Sequence, residues 1–233
     1  DIIMGITGPL LERIKANDEL TTVSTRYSGT SIIGFNRGTN PEFKDSRVRL
    51  AIAHAIDRQA IADTILGGVC EPATHIFTPG TFGYDESIKP VPYDPAKAKQ
   101  LLSEAGIAPG HEVDFTIHAQ SFGSLPNAPT VLEAIAGYLE AVGLKPKRLP
   151  RETGAWLAEM RAGTQRGIFY GPNSVPDDGG TLLGEWYSYR AWCGEPCNVG
   201  VKEYDQITDA QAVETDINKR EQMLQDWAKM ERE

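Results

Sequence analysis

The chain of 233 residues is poor in cysteine, in histidine and in long apolar runs. Three cysteines are too few for a disulfide scaffold, and no run approaches the roughly 18 apolar residues that cross a membrane. None of the four histidines stands three or four residues from another histidine or from a cysteine. Because a zinc site needs several such ligands in close spacing, the sequence predicts no metal centre.

Basic residues are also in deficit, with 23 lysines and arginines against 32 aspartates and glutamates and a net charge of −9. A protein that binds nucleic acid needs a basic surface to replace the counterions condensed on the phosphates, so the sequence predicts no nucleic-acid partner. Apolar residues make up 40% of the chain and charged residues 24%, which is typical of a globular protein and not of a disordered one.

The motifs of nucleophilic and phosphate chemistry are missing as well. The sequence has no G-x-S-x-G elbow and no cysteine with an obvious histidine partner. The Gly67-Gly68 pair follows a predicted helix, whereas a phosphate-binding loop opens one. We therefore predict no cofactor, and the sequence favours a function other than catalysis.

An enzymatic interpretation depends on the adjacent Asp177 and Asp178. Neighbouring residues rarely place two carboxyl groups on opposite sides of one bond, as glycosidic cleavage requires. An aspartate pair before Gly179-Gly180 is also typical of a turn. A hydrolase that uses Asp177, Asp178 or Glu185 stays open as the alternative, and turnover on a substrate panel would distinguish it from a binding protein.

Helical and strand patterns alternate along the chain, which indicates an α/β fold. The clearest helix is predicted over 46–66, with Val48, Ile52 and Ile56 on its buried face. A long irregular segment is predicted over 71–93. Strands of a mixed sheet are predicted at 20–25, 31–36, 113–119 and 145–150, and turn residues favour a hairpin between the first two.

A ligand-facing edge is predicted after a short strand at Ile168–Tyr170. The following loop, 171–180, is rich in glycine, proline, asparagine and aspartate, and a helix is predicted at 181–189. Ligands of open α/β sheets bind beyond the carboxyl ends of strands. Aromatic residues concentrate between Trp156 and Trp192, which is the composition of a small-ligand pocket, although Trp156 and Trp186, each taken singly, are more typical of a core.

Several sequence blocks together resemble one protein family. Phe35-Asn36 is followed by Phe43-Lys44-Asp45-Ser46-Arg47-Val48-Arg49-Leu50-Ala51-Ile52-Ala53-His54-Ala55-Ile56-Asp57-Arg58, then by Tyr93-Asp94-Pro95, and further blocks reach Leu224. These residues resemble the peptide/nickel class, family 5, of the extracellular solute-binding proteins of ABC importers. The blocks span essentially the whole chain.

The resemblance implies a periplasmic-binding-protein-like (type II) lobe, with a mixed β-sheet flanked by helices. It implies that residues 1–233 are the C-terminal lobe of a monomeric two-lobe protein, without the N-terminal lobe and the final segment. It also implies export to the periplasm or the cell exterior, with a signal peptide outside this chain. The expected partners are a peptide or other small ligand, held between the lobes, and an ABC permease; a sensor or chaperone role stays open.

The resemblance also implies a ligand site. In peptide-binding members, a tryptophan followed three residues later by aspartate stands after the strand that is predicted here at Ile168–Tyr170, and that aspartate pairs with the peptide's amino group. This chain has Tyr170 and the neutral Asn173 at that spacing. The implied ligand-binding residues are Trp156, Tyr170, Gly171, Asn173, Asp177 and Asp178.

One disulfide follows from the same resemblance. Cys193 and Cys197 stand four residues apart in one loop, and an exported protein meets an oxidising compartment. We therefore expect Cys193 and Cys197 to pair and Cys70 to stay free.

Overall fold

The computed structural model describes residues 8–23, 29–118, 127–174, 177–183 and 202–231. It confirms an α/β fold in which helices flank a mixed sheet. The strands are β1 Gly29–Phe35, β2 His111–His118, β3 Leu144–Arg151 and β4 Ile168–Ser174. The α-helices are α1 Gly8–Lys15, α2 Ser46–Ala55, α3 Arg58–Ala60, α4 Pro95–Glu104, α5 Ala128–Ala141, α6 Thr153–Ala162, α7 Gly179–Leu182, α8 Lys202–Val213 and α9 Ile217–Met230. A 3₁₀ turn at Pro41–Lys44 and a π-helical turn at Ile61–Ile65 complete the described elements.

The sheet has the strand order β1-β4-β2-β3. Strands β2 and β3 are parallel, β4 runs parallel to β2 where Ile168 meets Phe115, and β1 is antiparallel to β4 along its whole length. Beyond Ile168, the described pairing of β4 is with β1, and the two strands form an antiparallel ribbon.

The predicted hairpin between 20–25 and 31–36 is wrong. Residues 20–23 are not in a strand and residues 24–25 lie outside the described residues, while the described partner of β1 is β4. The reason is burial: Leu20 and Val23 are 50% and 84% exposed, whereas β4 presents the buried Ile168 and Tyr170 to β1. The sheet thus contains β4 and not the strand predicted at 20–25.

The helix predicted over 46–66 is divided in two. Ile56 leaves the helical conformation, and the Asp57 side chain then accepts a hydrogen bond from the Ala60 amide, which starts α3. Aspartate favours the N-cap position because its carboxylate satisfies an otherwise unpaired helical N–H. The predicted burial of Val48, Ile52 and Ile56 is confirmed, since these side chains are only 1%, 1% and 2% exposed.

The buried side chains form one large and two smaller clusters. The main core joins α2, α4 and α5 to the sheet. A second core joins the irregular segment 71–93 to the end of α7 and to α9; its buried members are Ile76, Phe77, Ile88, Leu183, Leu224, Trp227 and Ala228. A third and smaller cluster lies between α6 and β4. The ribbon of β1 and β4 links these clusters, because the Thr30 hydroxyl donates to the Ile76 carbonyl at 3.2 Å.

The segment predicted as a loop over 171–180 is partly strand and partly helix. β4 continues to Ser174, because the antiparallel pairing with β1 runs on to Gly29 opposite Ser174. Helix α7 already begins at Gly179 and ends at Leu182, and residues 184–189 of the predicted helix lie outside the described residues. The backbone after Tyr170 is therefore held by the sheet for four more residues.

Candidate ligand-binding site

The carboxyl ends of the parallel strands lie at one edge of the sheet, and α6 begins there. β2 and β3 run side by side to His118 and Arg151, and α6 starts two residues later at Thr153. Trp156 therefore stands in the first turns of a helix at the edge where open α/β sheets bind ligands. β4 passes the same edge as it continues toward Ser174.

Trp156 and Gly171 are brought together there. Trp156 is 3% exposed and packs with Met160 and Phe169. A Cβ added to Gly171 would lie 3.7 and 3.8 Å from two atoms of the Trp156 ring, so the ring faces the glycine backbone at ordinary contact distance. The pair forms a buried apolar contact beside one face of β4.

Phe169 reaches this cluster because β1 carries a glycine opposite it. Gly34 pairs with Phe169 in the antiparallel register, and a Cβ at position 34 would collide with the Phe169 ring. Strand residues two apart share a face, so Phe169 and Gly171 lie on the same side of β4. The missing side chain at Gly34 therefore leaves the space that the Phe169 ring occupies.

Tyr170 lies on the opposite side of β4, in the main core. It is 6% exposed and belongs to the large cluster of buried side chains. Burial raises the pKa of the Tyr170 hydroxyl, and a hydrogen bond with Ser31 lowers it to a smaller extent. Tyr170 thus anchors β4 in the main core, while Gly171, on the opposite side of the strand, faces Trp156. Asn173 stands two residues beyond Gly171, opposite Thr30 in the ribbon.

Asp178 is held in an ion pair with Arg220 of α9. Arg220 donates from Nη1 to Asp178 Oδ2 at 2.6 Å and from Nη2 to Asp178 Oδ1 at 2.9 Å. The same carboxylate accepts from the Gly180 amide at 2.9 Å and so caps α7. The Arg220 guanidinium lowers the pKa of Asp178. Asp178 is therefore an ionised structural carboxylate.

Asp177 differs from its neighbour. Its side chain is exposed, and its backbone carbonyl accepts from the Phe82 amide at 2.8 Å. The Asp178 carboxylate lies in an ion pair with Arg220, so the adjacent aspartates have different surroundings. Glu185, Cys193 and Cys197 lie outside the described residues.

Arg220 and Phe82 were not predicted from the sequence. The Arg220 guanidinium lies 5.2 Å from the centre of the Phe82 ring, and its Nε donates to the backbone carbonyl and to the side-chain oxygen of Gln211, each at 3.1 Å. These contacts join α7, α8, α9 and the irregular segment. No local spacing predicts them, because Arg220 and Asp178 are 42 residues apart.

Other chemistry is limited among the described residues. They contain no group of three or more histidine, cysteine, aspartate or glutamate side chains able to hold a metal ion. None of their helices is long and apolar enough to span a membrane. Cys70 is an exposed free thiol, as predicted.

Comparison with known proteins gives consistent matches. The model of the bacterial extracellular solute-binding proteins, family 5 (middle), matches residues 1–192. The chain is 30% identical over 222 residues to di/tripeptide-binding protein 1 of Pseudomonas aeruginosa, which covers 92% of this chain and 41% of that protein. This chain therefore spans about two fifths of the length of that curated relative.

Solved structures show the same fold. The periplasmic binding protein DppA of Helicobacter pylori, in complex with the peptide STSA, superposes with a TM-score of 0.84 at 22% identity over 97% of this chain and 44% of its own. The binding protein MoaA of A. tumefaciens R10, in complex with mannopinic acid, gives a TM-score of 0.79 at 24% identity over 94% of this chain and 44% of its own.

Proposed function

The chain belongs to the family 5 bacterial extracellular solute-binding proteins, and from that premise we propose that it captures a small ligand for an ABC importer. The observation that carries this proposal is the 30% identity to a di/tripeptide-binding protein over 92% of the chain. The ligand class is a peptide or another small polar solute. The intact protein delivers it from the periplasm or the cell exterior to a membrane permease.

The chain supplies one lobe of this protein, the C-terminal one. Its relatives are more than twice as long, so a second lobe faces the edge where α6 and β4 meet. Ligand stabilises the closed arrangement by contacting both lobes at once. The protein acts as a monomer. Capture involves no covalent chemistry, because it needs only contacts that form and break. The hydrolase alternative, which would use Asp177, Asp178 or Glu185, gains no support, because Asp178 is paired with Arg220 and Glu185 lies outside the described residues.

We assign the ligand surface of this lobe to Trp156, Gly171, Asn173 and the exposed Asp177. Tyr170 supports this surface from the core side. The Trp156 ring beside the Gly171 backbone offers apolar contact to a ligand, and the polar groups around it orient the ligand. This is the usual composition of a small-ligand site. The absence of a side chain at Gly171 leaves space above the Trp156 ring.

The test compares two glycine substitutions in the full-length protein. Gly171→Ala places a Cβ at ordinary contact distance from Trp156 and so keeps the fold, but it fills the proposed ligand space. Gly137→Ala, in α5, meets no atom within 4 Å and serves as the control. Native mass spectrometry first identifies the co-purified ligand, and calorimetry then measures its affinity. We expect Gly171→Ala alone to weaken binding, by about tenfold or more. Equal affinities of both variants and wild type would contradict the assigned surface.

A further inference from the structure

Strand β3 is the outermost described strand on its side of the sheet. In the order β1-β4-β2-β3 it has β2 on one side, and no described strand lies on the other. It pairs with β2 over its full 8 residues, from His111 opposite Leu144 to His118 opposite Arg151. The other side of an outermost strand presents a row of unpaired N–H and C=O groups, to which a further strand can add. We call this side the outer edge of β3.

Two prolines interrupt the hydrogen-bond donors of β3. Pro146 stands opposite Val113 and Pro150 opposite Ile117, and the parallel pairing with β2 continues through both positions. Proline has no backbone N–H, and within sheets it occupies outermost strands with its nitrogen directed away from the neighbouring strand. Backbone N–H groups alternate between the two sides of a strand, so residues four apart direct their nitrogens to the same side. Both proline nitrogens therefore face the outer edge, and Arg148 supplies the N–H group between them.

The side chains of β3 oppose self-pairing as well. The strand carries four basic residues and no acidic one, in a chain whose net charge is −9. Lys145 and Lys147 share the carboxylate of Glu112, at 3.4 and 3.9 Å, and their side chains are 71% and 51% exposed. Two copies of β3 side by side would set like charges opposite each other, which is destabilising. Ion pairs within the chain reduce this repulsion, so the charges alone do not close the edge.

We propose that Pro146 and Pro150 close the outer edge of β3 against a second copy of this chain and thereby keep the protein monomeric. A second copy is the occupant that the edge would otherwise fit, because one strand can pair with its own copy, antiparallel, about a twofold axis. The 8 residues of β3 exceed the usual length of about 5–6, so the ladder would be long. Without an N–H at two of the four outward positions (144, 146, 148 and 150), that ladder is broken. The proposal goes beyond ligand capture and uses no residue of the proposed ligand site.

Hydrogen exchange of the full-length protein, read at single residues by fragmentation in the mass spectrometer, tests the direction of the amides. Lys147 and Leu149 donate toward β2 in this arrangement, and we expect their amides to exchange at least about 100-fold more slowly than in an unstructured peptide. The Arg148 amide faces the outer edge, and we expect it to exchange within about tenfold of the unstructured rate. An Arg148 amide as protected as its neighbours would overturn the proposal, because the edge would already be paired.

Removal of the prolines tests the closure itself. Pro146→Ala/Pro150→Ala in the full-length protein restores both N–H groups. Pro41→Ala/Pro95→Ala makes the same two changes outside the sheet, at the start of the 3₁₀ turn and of α4, and is the control. Sedimentation equilibrium at up to about 0.5 mM protein measures association, and we expect a reversible dimer with a Kd of about 0.1 mM or tighter for the β3 variant only. In that dimer the Arg148 amide should become at least about tenfold more protected.

Three results would overturn the proposal. The first is a β3 variant that stays monomeric at the highest concentration. The second is a dimer in which the Arg148 amide exchanges as fast as in the wild-type protein, because association would then involve another surface. The third is equal association of the control variant. Pro146 is buried and Pro150 is exposed, so the single variant Pro150→Ala, with Pro41→Ala as its control, replaces the double variant if the latter fails to fold.

Discussion

In the proposed site, Asn173 would offer the ligand a neutral amide and no charge. A neutral amide can hydrogen-bond to an ammonium group but adds no charge to hold it. The relatives include a di/tripeptide-binding protein, whereas one structural neighbour holds mannopinic acid. If the proposed site is right, a substitution at position 173 distinguishes ligands with a free amine from ligands without one.

The first prediction uses this difference. Asn173→Asp in the full-length protein should strengthen binding of a ligand with a free amine by about tenfold, through a charge-assisted hydrogen bond. The same variant should weaken binding of the N-acetylated form of that ligand, because an unpaired carboxylate would be desolvated. Calorimetry with the two forms measures both effects. Unchanged affinity for both would place the ligand elsewhere.

Protonation of Asp85 at low pH should destabilise the second core. Hydrogen bonds from Ser87 lower its pKa to about 2, and Lys229 Nζ lies 3.1 Å from Asp85 Oδ2. Because the folded pKa lies below the unfolded value of about 3.9, the stabilisation is complete above that pH and is lost as the pH falls toward 2.

The second prediction follows from the lowered pKa of Asp85. Urea unfolding midpoints between pH 5 and pH 2.5 should fall more steeply in the wild-type protein than in Asp85→Asn, which has no charge to lose. At pH 7 the variant should be less stable by roughly 1–3 kcal/mol, the usual cost of losing hydrogen bonds to a charged group. Identical pH profiles for the two proteins would show that Asp85 contributes nothing to acid stability.

Among the elements, α4 was predictable and the ribbon was not. Asp94 caps α4 by accepting from the Lys97 amide at 2.8 Å, and Pro95 occupies the first helical position, so the local sequence contains the whole signal. The pairing of β1 with β4 joins residues more than 130 positions apart, from Gly29 opposite Ser174 to Phe35 opposite Ile168. Only the folded sheet brings those strands together, and a nearby turn signal favoured the wrong partner.

The same limit applies to the site. The aromatic composition and the resemblance predict Trp156 as a ligand residue, but its contact with Gly171 depends on where α6 crosses β4. The role of Asp178 was predicted as a ligand residue, and the structure adds Arg220, which comes from a helix that no local pattern relates to it. Contacts between distant elements are set by packing, which a single sequence does not display.

The third prediction concerns the ion pair between Asp178, which caps α7, and Arg220 of α9. Arg220→Gln should lower the free energy of unfolding by about 1–2 kcal/mol, because a bidentate and partly buried ion pair is lost; this estimate exceeds that for exposed pairs and stays below that for fully buried ones. Arg161→Gln, at an exposed position of α6, is the control and should change stability by less than about 0.5 kcal/mol. Chemical denaturation measures both. A change in the free energy of unfolding as small for Arg220→Gln as for Arg161→Gln would show that the ion pair is not stabilising.

The fourth prediction concerns α2. Ile52 is 1% exposed in the main core, so Ile52→Ala should cost about 2–5 kcal/mol, while Ile52→Val should cost only about 0.5–1.5 kcal/mol. The graded series follows the number of buried methyl groups removed. A small effect of Ile52→Ala would mean that the core beneath α2 collapses around the cavity or is less closely packed than the structure indicates.

At the scale of the whole molecule, the chain contains the two buried cores that the β1–β4 ribbon connects, but only one side of the proposed binding site. The ribbon of β1 and β4 joins the main core to the second core through Thr30 and Ile76. Trp156 and Gly171 lie next to each other beside β4 of that ribbon. In our proposal, a ligand there meets one surface of this chain and a second surface on the remaining length of the protein.

The last prediction follows from this geometry. Binding must offset the loss of translational and rotational freedom, an estimated 4–15 kcal/mol, and a single surface offers about half of the contacts of a closed cleft. We therefore expect residues 1–233 alone to bind the co-purified ligand no more tightly than about 1 mM, whereas the full-length protein binds it far more strongly. Calorimetry on both proteins measures the difference, with circular dichroism to establish that the shorter chain is folded. Micromolar binding by the 233-residue chain would show that one lobe holds the ligand unaided, and closure over two lobes would then not be what confers affinity.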